Sequence, residues 1–135
     1  MTPGLTEILS EALEDEYKAR ATYRRILEEF GDVRPFSNIV EAEQRHIDAL
    51  RVLFDNHGLR IPGDNWPERI EVPETLLAAC QAGVAAEIDN AAMYDRLLAA
   101  SSDYPDVQSV LRNLQRASRE NHLPAFERCV ERESQ

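Results

Sequence analysis

At 135 residues, with 43% apolar and 30% charged side chains, the chain suits one domain able to bury a sizeable core. Its formal net charge of -10 and pI near 4.7 argue against nucleic acid or an anionic membrane surface as partner, because both reward clustered Lys and Arg. Met1 to Glu16 is acidic rather than basic-then-apolar, and no apolar run approaches the roughly 20 residues of a membrane span, so a cytoplasmic location is expected.

Apolar residues at three-to-four spacing, from Leu5 through Ile8 or Leu9, Leu13, Tyr23 and Leu27 to Phe30, predict a first helix over about 6–30, with Thr6 as N-cap and Gly31 as stop. Pro35 fits the first position of a second helix over 35–57, whose inward stripe is Phe36, Ile39, Glu43, His46, Leu50 and Leu53 until Asn56-His57-Gly58. Residues 59–73 hold Pro62, Gly63, Trp66, Pro67 and Pro73 without a period, which suits a crossover rather than a tight turn. A third helix over 74–101 carries Leu76 or Leu77, Cys80, Val84, Glu87, Ala91, Tyr94 and Leu98 on one face. After Ser101-Ser102-Asp103 and Pro105, a fourth over 106–132 carries Val107, Leu111, Leu114 or Gln115, Ser118, His122, Phe126 and Cys129. Pro124 removes one backbone bond and clashes with the carbonyl four residues back, so a kink is expected beside His122. The expected fold is all-α: a single domain over 1–135, made of two antiparallel helical hairpins joined by a long crossover between helices two and three.

The two hairpins echo each other. Glu16 precedes Tyr23 by seven residues and Glu87 precedes Tyr94 by seven, so each pair lies along one stripe of its helix. The helix after each carries one histidine, His46 in Glu43-Gln44-Arg45-His46 and His122 in Arg119-Glu120-Asn121-His122. Glu, Glu-x-x-His, Glu and a final histidine form the ligand order of di-metal carboxylate bundles, with Arg119 standing where the last glutamate belongs. Glu43 and His46 are one turn apart and can reach one ion, and mixed carboxylate and imidazole ligation suits iron, manganese or zinc. Glu-x-x-His alone is a weak signal, but Glu16, Glu43 and Glu87 all fall within apolar stripes, where an unpaired carboxylate costs several kcal/mol. A metal-free reading pairs these glutamates with Arg119, Arg20 or Arg45 instead. If Arg119 is buried, three glutamates balance one divalent ion plus Arg119, and the chain then holds a single metal firmly or a second only weakly.

Asp15-Glu16-Tyr17, Arg34-Pro35-Phe36-Ser37-Asn38-Ile39, Glu43-Gln44-Arg45-His46 and Ser118 through Phe126 resemble the ferritin-like superfamily, and within it an uncharacterised prokaryotic ferritin-like family. The resemblance spans nearly the whole chain. It implies a rubrerythrin-like four-helix bundle with Glu16, Glu43, His46, Glu87 and His122 as metal ligands and Arg119 in place of the last glutamate; Tyr23 and Tyr94 stand near them, expected as core packing with a bonded hydroxyl rather than as redox-active groups. One or two ions follow, iron first and manganese or zinc next, with redox chemistry toward dioxygen, peroxide or ferrous iron. The alternatives are a metal-binding or storage module without turnover and a metal-free helical interaction protein. Metal ions and a small oxidant are the partners implied, and a homodimer is compatible with the class. No nucleophile elbow, phosphate loop or zinc-finger spacing supports a hydrolase, a nucleotide enzyme or a DNA binder. Cys80 lies seven residues before Glu87 and Cys129 seven after His122, which places the thiols at one level of antiparallel helices. Reduced core thiols are expected in a reducing cytoplasm, with a disulfide as the alternative.

Overall fold

In the computed structural model, residues 4–135 are described, and they form a four-helix bundle with a long loop between its second and third helices. The elements are α1 (Leu5–Phe30), α2 (Phe36–Asn56), a 3-10 turn (Pro67–Arg69), α3 (Leu76–Ala100), α4 (Pro105–Ala117), a π turn (Ser118–His122) and α5 (Leu123–Glu133). The last three together make the fourth helix of the bundle. α1 packs mainly on α2, and α3 mainly on α4 and α5.

Glycine and capping chemistry explain the boundaries. Gly31 stops α1 at φ 89°, and its N–H donates to the Leu27 carbonyl at 2.9 Å. α1 begins at Leu5 after Gly4, so Thr6 lies inside the helix rather than capping it. Pro35 precedes α2 instead of opening it. α3 starts two residues after the expected Glu74, because the Thr75 hydroxyl accepts the Ala78 N–H at 3.0 Å and supplies the cap. The crossover is strapped to α1: the Tyr17 hydroxyl donates to the Pro62 carbonyl at 2.9 Å, Trp66 Nε1 to Glu14 at 2.7 Å, and Arg20 to Asp64 at 2.9 Å.

The expected kink at Pro124 takes the form of the π turn. The Leu123 N–H donates to the Ser118 carbonyl, five residues back, and Pro124, which has no N–H to give, follows directly at the start of α5. A wider turn also answers the apolar pattern. Leu114, Ser118, His122 and Phe126 are all buried and lie four residues apart three times in succession. At about 100° per residue each such step overshoots by about 40°, so an unbroken α-helix would carry Phe126 off the inward face.

Two apolar clusters fill the bundle. One gathers Ile8, Leu9 and Leu13 of α1, Ile47, Leu50 and Phe54 of α2, Leu97 of α3 and Leu111 of α4. The other joins Tyr23, Phe36 and Phe126, whose ring centroids lie 5.3–5.7 Å apart, with Ile26, Ile39, Cys80 and Cys129. Cys80 and Cys129 are near neighbours, as their spacing predicts, but they are joined in a disulfide with Cα atoms 5.6 Å apart rather than left as reduced thiols. Tight packing of α3 on α5, with Gly83 against the Phe126 ring, brings them together. A Cβ on Gly83 would lie 2.6 Å from Phe126 Cδ1. The buried face of α3 is Ala79, Cys80, Gly83, Glu87, Asn90, Tyr94 and Leu97, so Val84, Ala91 and Leu98 sit on its flank. Among the described residues no helix is long and apolar enough to cross a membrane.

Candidate metal centre

On every helix buried polar residues lie between the two apolar clusters. Glu16 lies between Leu13 and Tyr23, Glu43 between Ile39 and Ile47, Glu87 between Cys80 and Tyr94, and Ser118 and His122 between Leu114 and Phe126. These positions fall at one level of the bundle, and the side chains converge there. Glu16, Glu43 and His46 offer ligand atoms within 4.8 Å of one another, and so do Glu43, Glu87 and His122. Glu16 is 2% exposed, Glu43 and Glu87 4% each, and His122 5%.

Glu43 belongs to both groups, and its two oxygens face different histidines. Oε2 lies 4.0 Å from His46 Nδ1 and Oε1 lies 3.4 Å from His122 Nδ1. The imidazoles are stacked at 5.8 Å between centroids, with 28° between their planes. On one side, Glu16 Oε2 lies 3.5 Å from His46 Nδ1 and Oε1 accepts a hydrogen bond from the Tyr94 hydroxyl at 2.7 Å. On the other, Glu87 Oε1 lies 3.1 Å from His122 Nδ1 and Oε2 accepts from the Ser118 hydroxyl at 2.7 Å. Burial and the Glu16 carboxylate raise the Tyr94 phenol well above its ordinary value, so it stays a neutral donor.

The residues fit a cation on a specific ground. Glu16 Oε2 and His46 Nδ1 are buried and have no hydrogen-bond partner. Leaving such atoms unsatisfied costs about 1–3 kcal/mol each, and a metal ion held between them answers both. No Lys or Arg neutralises the three glutamates: among the described residues their polar partners are Tyr94, Ser118 and the two histidines.

Arg119 does not take the place expected of it. Its side chain is 51% exposed and pairs with Asp95 on the bundle surface at 3.0 Å. The π turn is the reason. A wider turn brings the residue four before His122 onto the inward face and swings the residue three before it outward, so Ser118 holds the position where a fourth carboxylate would stand. Tyr23 is buried in the aromatic cluster, and its hydroxyl has no hydrogen-bond partner among the described residues. Burial and the nearby charges of Glu87, Glu16 and Asp15 raise its pKa well above the phenol range.

Asp15 and Asn90 escaped the sequence reading. Asn90 Nδ2 donates to Asp15 Oδ2 between α1 and α3, beside Glu16 and Glu87. Burial, then the Glu16 charge, raises the Asp15 carboxyl from 3.8 to about 6. The signal available was Glu87-x-x-Asn90, which puts the amide one turn beyond Glu87. The pair borders a cleft of about 370 Å³ between α1 and α3 that reaches Glu43 and Glu87.

A family described as "Uncharacterized protein domain (DUF2202)" matches residues 7–135, and the chain belongs to it. Among solved structures the chain is similar to the crystal structure of hypothetical protein MJ0754 from Methanococcus jannaschii DSM 2661. The two are 25% identical over 95% of this chain and 80% of that one, with a TM-score of 0.83. None of the curated proteins matches.

Proposed function

We propose that this DUF2202 member is a ferritin-like metal protein whose centre is Glu16, Glu43, His46, Glu87 and His122. The observation that carries the reading is the pair of orphaned, buried ligand atoms, Glu16 Oε2 and His46 Nδ1, beside a carboxylate shared between two histidines. A carboxylate facing two imidazoles through different oxygens is placed to bridge two cation positions, and mixed oxygen and nitrogen donors favour iron, with manganese or zinc next. Ferrous iron held by these residues would supply the electrons that reduce dioxygen or peroxide, as a resident cofactor or as the substrate itself.

The chain's own groups orient the donors. The Tyr94 hydroxyl holds Glu16 Oε1 and so turns Oε2 toward His46, and Ser118 holds Glu87 Oε2 and turns Oε1 toward His122. The cleft between α1 and α3 admits molecules the size of dioxygen or peroxide. A second reading, metal binding without turnover, is favoured by Ser118 itself, because a neutral hydroxyl at the fourth carboxylate position leaves the second cation position with less negative charge.

Elemental analysis of protein from iron-replete cells, expressed as metal per chain, tests both. One or more equivalents that disappear in His46→Ala support the centre, and consumption of peroxide or dioxygen by the loaded protein separates the redox reading from storage. Metal-free protein that cannot be loaded sinks both and selects a helical interaction protein.

A further inference from the structure

The centre is buried, yet one side of it is not sealed. Glu43 and Glu87 line the cleft between α1 and α3, where small side chains such as Ala82 and Ala86 leave space unfilled. The cleft also holds Asp15 and Asp89, against a single cation, Lys18, whose ammonium is turned over the Trp66 ring at 5.5 Å. Tyr23 also lines this space: the residue is 3% exposed, and its hydroxyl has no hydrogen-bond partner among the described residues. Glu43, 4% exposed, faces the same space without a hydrogen-bond donor. Polar oxygens left without donors along an acidic passage suit a cation in transit better than a neutral or anionic guest.

We propose that the cleft between α1 and α3 is the passage by which divalent cations reach the centre, with Asp15, held by Asn90 and backed by Asp89, as a transfer position outside the ligand set. The Asn90 amide fixes one Asp15 oxygen and leaves the other free toward the cleft. Asp15 neighbours Glu16 on α1, and Asn90 stands one turn from Glu87 on α3, so the pair sits beside a candidate ligand on each helix. Low-dielectric walls of alanine concentrate the field of the carboxylates along this route. The inference rests on the proposed centre and adds to it a direction of approach.

The test uses the full, metal-free chain mixed rapidly with Co2+ and followed by the visible absorption of the ion on its oxygen and nitrogen donors. Asp15→Asn and Asp89→Asn are expected to load about threefold to tenfold more slowly at low salt, with unchanged Co2+ per chain. Asp55→Asn, which removes the same charge from an exposed position on α2 outside the cleft, is expected to load at the unmodified rate. Asp89 is exposed, so its variant carries the test even if Asp15→Asn fails to fold. Equal rates in all four proteins overturn the passage, as does equal slowing by Asp55→Asn. Loss of Co2+ from Asp15→Asn at equilibrium makes Asp15 a ligand and overturns its transfer role. No absorption in the unmodified chain removes the centre and the passage together, an outcome distinct from a normal signal with unchanged rates.

Discussion

The two histidine-bearing halves of the polar layer have the same composition and opposite states. Around His122 both Glu87 oxygens are answered: Ser118 donates to one, and the other lies 3.1 Å from the imidazole. Around His46 the Glu16 oxygen and the imidazole nitrogen face each other at 3.5 Å with neither bonded. The repeat of Glu and His in two hairpins therefore yields one half whose own glutamate is fully partnered and one that leaves two buried atoms unpaired. A single cation would gain most in the His46 half, where it relieves two unsatisfied atoms and displaces no hydrogen bond.

The largest expected effect strikes both halves at once. Glu43→Gln removes the shared charge while keeping the volume, and metal per chain is expected to fall to near zero by elemental analysis. Histidine substitutions come next and should differ: His46→Ala removes the tighter ion, whereas His122→Ala leaves most of it. Equal losses would break the comparison. Ser118→Glu places a carboxylate on the inward face and should raise the metal content toward two per chain, while Arg119→Glu, on the exposed surface beside Asp95, should leave it unchanged.

Smaller effects appear in stability. Gly83→Ala forces a methyl against the Phe126 ring and should cost about 1–3 kcal/mol in denaturant unfolding of the metal-free chain. A pH effect follows from Asp15, whose carboxyl is raised from 3.8 to about 6. Between those values the folded chain binds a proton at Asp15 that the unfolded chain does not, so Asp15's contribution to the stability of the metal-free protein should rise as pH falls from 7 toward 5, read as the difference from Asp15→Asn. The gain should level off near 3.8 and be absent in Asp15→Asn. The smallest readout is thiol titration of denatured protein, expected to find no free thiol before reduction and two after it.

Helix number, order and the long loop were legible in the chain, because three-to-four spacing of apolar residues and the breaks at Gly31, Gly58 and Pro105 are local signals. The inward placement of Glu16, Glu43, Glu87 and His122 was legible for the same reason, since each interrupts an apolar stripe at a helical interval. The face of α3 was less so. Val84, Ala91 and Leu98 are as apolar as Gly83 and Leu97, and the composition of that helix offers no sharp contrast from which to choose. The steps of four from Leu114 to Phe126 hinted at the π turn, but read with Pro124 they predicted only a kink.

Sequence alone determined which residues stand at one level of the bundle, because rise per residue converts spacing into height once the helices are known to be antiparallel. Tertiary structure decided what each does there. Turning Ser118 in and Arg119 out depended on the winding of a single turn, and joining Cys80 to Cys129 depended on how closely α3 approaches α5. The Asp15–Asn90 pair depended on the separation of α1 and α3. Rotation about a helix axis and distance between axes are set by packing among all the elements, and no local pattern carries them.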